Sequence, residues 1–254
     1  MNKTLILIHG MWSQAAVWNP WIPALQNAGY NTLALNLPGH EPGASPTAMK
    51  GLGLADYVAH VVQAAQGHSD VVLVGHSMGG LIAQQAAVQL QPKALVLVSS
   101  AVPAPIFPLR LNTLLGTLRS FSRPELYWST LALTQWEANY LLYNKVPEHE
   151  RTAQYNSLIR ESGRAAYQLA FGGLNLAGSN RVDWAAITCP VLYLAGKHDR
   201  IVPASAAQAL AKRVGNIPGS LFELHVFEEH AHMMMVEESS RKRVNEILSW
   251  LSSQ

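Results

Sequence analysis

The sequence predicts a three-layer α/β protein: a mostly parallel sheet of about six strands between two helical layers, with a helical insertion after the fourth strand. Three observations carry this. Short apolar runs alternate with longer helix-like stretches at both ends of the chain, the pattern of a sheet built from strand–helix–strand units. Most of the runs are continuously β-branched or apolar over four to eight residues, as in strands buried on both faces. One of them, Val71-Val72-Leu73-Val74, passes through Gly75-His76-Ser77-Met78-Gly79-Gly80 directly into a helical pattern. With 254 residues, 49% hydrophobic and 13% charged, the chain can fill one large core and leaves no long stretch polar enough to stay unfolded.

In order, Thr4–Ile8, Asn31–Leu35, Val71–Val74, Ala94–Val98, Val191–Ala195 and Leu221–Phe227 read as strands. Ala15–Ala28, Leu54–Gln66, Gly79–Leu90, Ala204–Val214 and Glu237–Leu251 read as helices. Gly29 stops the first of these, and Pro203 suits the first turn of the fourth. Between them the rhythm breaks. Residues 102–183 lack clear strands, carry Tyr127, Trp128, Trp136, Tyr140, Tyr143 and Tyr167, open with Pro103, Pro105 and Pro108, and approach their close at Gly172-Gly173 and Gly178. A connection of that length must carry structure of its own. It is expected to be a helical cap on a core formed by residues 1–101 and 184–254, with an ordinary extra helical layer as the alternative.

Charge and cysteine content exclude several classes. The net charge is only +2, and the densest basic group, Arg241-Lys242-Arg243, falls on a predicted helix, so it reads as a solvated face rather than a nucleic-acid patch. The single cysteine, Cys189, excludes an intrachain disulfide and a multi-cysteine metal site, and its place just ahead of a strand predicts a buried, inert thiol. No run approaches the roughly 18 apolar residues of a membrane span. The five residues after Lys3 are too few for a signal core. A soluble cytoplasmic protein is the expectation.

In an open parallel sheet the functional loops lie at the carboxyl ends of the strands. Gly-x-Ser-x-Gly in a strand–turn–helix context marks Ser77 as a candidate nucleophile. Side chains at 75 or 79 would collide with neighbouring backbone in so tight a turn, and Gly80 lets the helix pack closely. The turn also sets the hydroxyl at a helix N-terminus, where developing negative charge is favoured. A serine needs a base, and the segment after the last strand, Phe227-Glu228-Glu229-His230-Ala231-His232-Met233, offers His230 and His232. The base in turn needs an orienting carboxylate. Asp199, after the fifth strand, is at the proper edge, whereas Asp70 is at the wrong one, Asp56 is in a helix and Asp183 lies just after the insertion. Two donors for an oxyanion are expected from the backbone N–H groups of Met78 and of Met11, in His9-Gly10-Met11-Trp12 after the first strand. His9 is expected to brace that loop. Trp12, His76, Trp128 and Trp136 are the candidate pocket residues.

With these residues in place the chain resembles the α/β-hydrolase superfamily over nearly its whole length. The marks are His9-Gly10, the Gly75–Gly80 elbow, Cys189-Pro190 leading into Gly196-x-x-Asp199-x-x-Val202-Pro203, and a late His. The family's His stands in Gly-His-x-x-x-x-Glu, and the spacing from His232 to Glu237 matches while His230 has no Glu at that offset. The resemblance therefore selects His232. Ala231 replaces the usual Gly, and the family's first two antiparallel strands are missing. The resemblance implies a Ser77, His232, Asp199 triad, two-step acyl transfer and no metal or organic cofactor. The expected function is a carboxylesterase for small to medium apolar esters. Carbon–carbon bond hydrolase, lactonase, thioesterase and perhydrolase activities share this triad, and a non-catalytic ligand receptor can share this fold.

Overall fold

A computed structural model describes residues 3–106, 127–172 and 178–254. Its main sheet has six strands, all parallel: β1 (Thr4–Ile8), β2 (Asn31–Leu35), β3 (Val71–His76), β4 (Ala94–Val98), β7 (Val191–Gly196) and β8 (Phe222–Phe227), in spatial order β2-β1-β3-β4-β7-β8. Every expected strand is present within a residue or two. The apolar character of four of them has the predicted cause, since β1, β3, β4 and β7 are buried at every position, whereas β2 and β8, at the sheet's edges, are only partly buried.

Alternate residues of each strand feed the two faces. Ile6, Ile8, Leu73, Leu95 and Leu97 pack with α2 (Leu54–Ala64), α3 (Met78–Leu90) and α7 (Ala204–Val214). Leu5, Leu7, Val72, Val74 and Val96 pack on the other side with α1 (Ile22–Asn27) and α8 (Ser240–Ser252). Each such side chain contributes about 1.5–3 kcal/mol through burial.

Two helices depart from expectation. Ala15–Ala28 is not one helix. Ala15–Trp18 forms a 3-10 turn and α1 begins only at Ile22. Pro20 has no N–H to give a continuous helix and its ring would strike the preceding turn, whereas Pro23 fits within the first turn of α1. The last helix starts at Ser240, not Glu237, because the Glu237 carboxylate is engaged elsewhere, as described below.

The segment between β4 and β7 contains a short antiparallel pair, β5 (Thr130–Leu131) and β6 (Glu161–Ser162), and the helices α4 (Gln135–Leu141), α5 (Glu148–Asn156) and α6 (Gly163–Phe171). Thr134 caps α4 by a reciprocal pair of hydrogen bonds with Glu137. Pro108 and Gly173, two of the sequence marks of this insertion, lie outside the described residues. No described helix is long and apolar enough to cross a membrane.

Candidate active site

Ser77 occupies the turn between β3 and α3 at φ 53° and ψ −122°. Its N–H donates to the Val98 carbonyl at 3.1 Å, and its own carbonyl accepts from Gly80 and Ala101, each at 2.9 Å. A Cβ on Gly75 would run into the Gly79 carbonyl, and one on Gly79 into the carbonyls of Ile8 and His9. Both glycines are therefore required for the elbow to press α3 against the end of β1.

His232 reaches this hydroxyl from the segment joining β8 to α8. Its Nε2 lies 3.0 Å from Ser77 Oγ and its Nδ1 lies 2.8 Å from Asp199 Oδ2. A carboxylate only accepts, so Nδ1 carries the hydrogen and Nε2 presents its lone pair to the serine hydroxyl. The other oxygen of Asp199 accepts from the N–H groups of Ile201 and Val202, both at 2.8 Å. All three side chains are buried or nearly so, which strengthens each of these bonds.

The His232 segment is held from three sides. His76 Nε2 donates to the His232 carbonyl at 2.9 Å. The Glu237 carboxylate accepts from the N–H groups on either side of His232, those of Ala231 at 3.0 Å and Met233 at 3.1 Å, and meets His230 Nδ1 at 2.7 Å. The His198 N–H donates to the His230 carbonyl at 2.9 Å, joining this segment to the Asp199 loop. His230 is thus turned toward Glu237, and His232 toward Ser77.

Gly10 lies against the serine: a Cβ there would stand 2.8 Å from Ser77 Cβ. Met11 follows Gly10, and Met78 follows Ser77 at the start of α3. His9 Nδ1 donates to the Gly10 carbonyl at 2.8 Å, and its Nε2 accepts from the Leu37 N–H at 3.1 Å. Burial, and then the neighbouring His40, lowers its pKa to about 3. Burial, and then His232, likewise holds His76 well below the usual histidine range. Both rings are neutral.

Of the candidate pocket residues, two are buried and two are exposed. Trp12 is buried at φ 60°. His76 is enclosed beneath the His232 ring, 4.9 Å away between centroids. Trp128 and Trp136 are 68% and 64% exposed, with Trp136 stacked on Tyr140 and Trp128 against Tyr127. Cys189 is buried, which pushes its thiol up to about 11. Among the described residues no group of three or more His, Cys, Asp or Glu side chains is arranged to hold a metal ion.

Sequence reasoning missed the hold of Glu237 on the N–H groups flanking His232, the bond from His76 to His232, and a buried contact between His40 and Glu161 at 3.1 Å. The first had a signal in the His-to-Glu spacing, which was read only as a family mark. The second had a weak one, a His beside the nucleophile. The third had none, because 121 positions separate its partners.

Comparison with known proteins supplies the family. The chain is 28% identical over 252 residues to a putative carbamate hydrolase, RutD, of Variovorax paradoxus (strain S110), covering 94% of this chain and 88% of that protein. It is 30% identical over 223 residues to a pimeloyl-[acyl-carrier protein] methyl ester esterase of Xylella fastidiosa (strain 9a5c), covering 83% and 82%. Among solved structures, the methylesterase MES16 from Arabidopsis superposes with a TM-score of 0.72 at 17% identity, over 99% of this chain and 100% of that one. A pyrethroid hydrolase from Sphingobium faniae JZ-2 gives 0.73 at 18%, over 100% of each. At such identities the structural likeness speaks for the fold alone. The family profile itself matches residues 5–247, and the chain belongs to the alpha/beta hydrolase family.

Proposed function

We propose that the protein is a serine hydrolase cleaving small to medium apolar carboxylic esters through an acyl-serine intermediate, with residues 102–183 as a cap over the site. The observation that carries this reading is the unbroken relay from Ser77 Oγ through His232 to Asp199, at 3.0 and 2.8 Å. Relatives named as a methyl ester esterase and a carbamate hydrolase support acyl transfer in general.

In this mechanism His232 Nε2 takes the Ser77 proton as the oxygen attacks the ester carbonyl. Asp199, with its second oxygen already committed to two backbone N–H groups, holds the ring and stabilises the imidazolium. The new oxyanion rests on the N–H groups of Met11 and Met78, each donor contributing about 2.7–4 kcal/mol. Collapse breaks the ester C–O bond, and His232 returns the proton to the departing alcohol. Water, deprotonated by the same nitrogen, then attacks the acyl carbon, and the bond to Ser77 Oγ breaks as His232 returns the proton to that oxygen, freeing the acid. Trp12 forms part of the pocket wall. His76, committed to the His232 carbonyl, serves the base rather than the substrate.

The test pairs a fluorophosphonate probe with nitrophenyl esters of increasing chain length. Labelling at Ser77, turnover that peaks at short to medium chains, and loss of roughly 10⁴-fold or more of that turnover in Ser77→Ala are expected. A wild-type protein that neither labels nor turns over any ester defeats the proposal.

A further inference from the structure

Three residues of the segment between β4 and β7, Ile159, Glu161 and Ser162, make hydrogen bonds into the core. The Ile159 N–H donates to the Trp12 carbonyl at 2.9 Å. Ser162 Oγ donates to the Leu52 carbonyl at 2.5 Å. Between them, Glu161 is fully buried. A carboxylate withdrawn from water is costly unless its oxygens are satisfied, and here they are. Oε1 accepts from Tyr57 Oη at 2.8 Å and from the Ser162 N–H at 2.7 Å, and Oε2 meets His40 Nε2 at 3.1 Å.

The contact to His40 leads on to the oxyanion loop. His40 is fully buried too, and its Nδ1 faces the Pro38 carbonyl at 3.2 Å. With a carbonyl on one nitrogen and a carboxylate on the other, both carry hydrogen and the ring is an imidazolium. Burial by itself lowers the pKa of His40, but Glu161 and the backbone carbonyls outweigh it, so it ends raised. The His40 carbonyl accepts from Gln14 Nε2 at 2.8 Å, three residues beyond Met11. The His40 ring stands 4.9 Å from that of His9, and this neighbouring cation disfavours a second charge on His9. His9 therefore keeps the one tautomer that donates to the Gly10 carbonyl.

That bond has a geometric consequence. The Gly10 carbonyl and the Met11 N–H are the two ends of one trans peptide plane, and they point in opposite directions. Fixing the carbonyl aims the N–H. Trp12, next in the chain, holds a positive φ that costs about 1–2 kcal/mol for a residue with a side chain, and Ile159 secures its carbonyl.

We infer that Glu161 is a positioning residue for the oxyanion donor Met11, acting through His40, so that the cap completes the oxyanion site as well as covering it. This rests on the serine-hydrolase reading above. It is distinct from a simple anchoring role, which would hold the cap to the core without favouring the transition state over the substrate.

Glu161→Leu and Gln14→Met separate the two, each assayed with a nitrophenyl ester and with a trifluoromethyl ketone that forms a tetrahedral adduct on the serine. In Glu161→Leu, kcat is expected to fall about 10- to 100-fold with KM within about threefold, and affinity for the ketone to fall with kcat. Glu161→Gln should restore at least about tenfold of that loss. Its amide oxygen can take both donors of Oε1, while its NH₂ donates to a neutral His40 and keeps the ring in place. Gln14 is only half-buried, so Gln14→Met keeps the fold if Glu161→Leu does not, and its kcat should fall about 3- to 10-fold at unchanged KM. Folded variants that retain wild-type kcat, or that lose only KM, overturn the inference. Fluorophosphonate labelling tells this failure from failure of the enzymatic reading. Wild type that does not label takes both down, whereas wild type and Glu161→Leu labelling at equal rates removes this inference alone.

Discussion

Ser77, Trp12 and Ser99 hold φ values of 53°, 60° and 43°, and they stand just beyond the carboxyl ends of three neighbouring strands, β3, β1 and β4. Among the described residues only Gln91, after the end of α3, is a further non-glycine residue at positive φ, and each such residue gives up about 1–2 kcal/mol relative to glycine. Ser77→Gly should relieve that strain while removing the nucleophile, and Ser77→Ala should remove the nucleophile alone. The glycine variant is expected to be about 1 kcal/mol more stable than the alanine variant, a difference of a few degrees in Tm, and equal melting temperatures would show the elbow to be unstrained. Asp199→Asn addresses the other end of the relay. Its oxygen can still accept from Ile201 and Val202, but its NH₂ would face His232 Nδ1 and demand the opposite tautomer. The expected loss in kcat is about 10⁴-fold with the fold intact, measured by steady-state kinetics beside a thermal melt. At this scale the relay was legible because its chemistry constrains local sequence: the elbow needs its glycines, and Glu237 distinguishes His232 from His230. The contact of His40 with Glu161 was not, because burial and hydrogen bonding between distant loops leave no periodic mark.

The strands were legible for a physical reason that the helices do not share. A strand buried on both faces must be apolar at every position, and the short, bounded runs Leu5-Ile6-Leu7-Ile8 and Leu95-Val96-Leu97-Val98 fit that pattern. Helix ends depend on single residues. Pro20 divides the stretch read as one helix from Ala15, and Glu237, which reads as the first residue of the last helix, instead folds its carboxylate back beneath the His232 segment. That choice sets a stability prediction. Glu237→Ala leaves the buried N–H groups of Ala231 and Met233 without their acceptor, at about 1–3 kcal/mol each. A loss of about 2–4 kcal/mol by urea denaturation is expected, with a fall in kcat as the base loses its support. A variant as stable as wild type would mean that water replaces the carboxylate. The exposed Trp128 and Trp136 show the opposite limit of sequence reading. Aromatic residues in a helical layer look alike whether they line a pocket, pack a core or face solvent.

Across the whole molecule, parallel pairing brings the carboxyl ends of all six strands to one edge, and the order β2-β1-β3-β4-β7-β8 sets Ser77 centrally with the Met11 loop beside it. β8 stands three strands away from β3, roughly 14 Å, so the segment carrying His232 must return across the edge of β7 and be buried to do so. Enclosure of this kind traps histidines. His9 is held at about 3 and His76 well below its ordinary value, both chiefly by burial. In the unfolded chain each would bind a proton near pH 6.5. A lowered folded pKa means that the unfolded state takes up protons first, so the stability these rings contribute is complete above about pH 6.5 and is lost as pH falls toward the folded values. His40 has the opposite sign. Its pKa is raised, so its contribution is complete below about 6.5 and fades only as pH rises through the folded value. Between pH 6 and pH 5 it is therefore nearly constant, and the slope belongs chiefly to His9 and His76. At about 1.4 kcal/mol per pH unit for each group, the pair removes roughly 2–3 kcal/mol per unit, a large share of the 5–15 kcal/mol typical of a folded domain. Urea denaturation at pH 7, 6 and 5 should show unfolding free energy falling by about 1 kcal/mol or less over the first step, where His40 opposes the pair, and by about 2–3 kcal/mol over the second. His76→Gln, which can still donate to the His232 carbonyl, should halve the slope. A flat profile would mean that the two rings take up protons in the folded state, and the neutral His9 on which the aim of the Met11 donor depends would be lost with it.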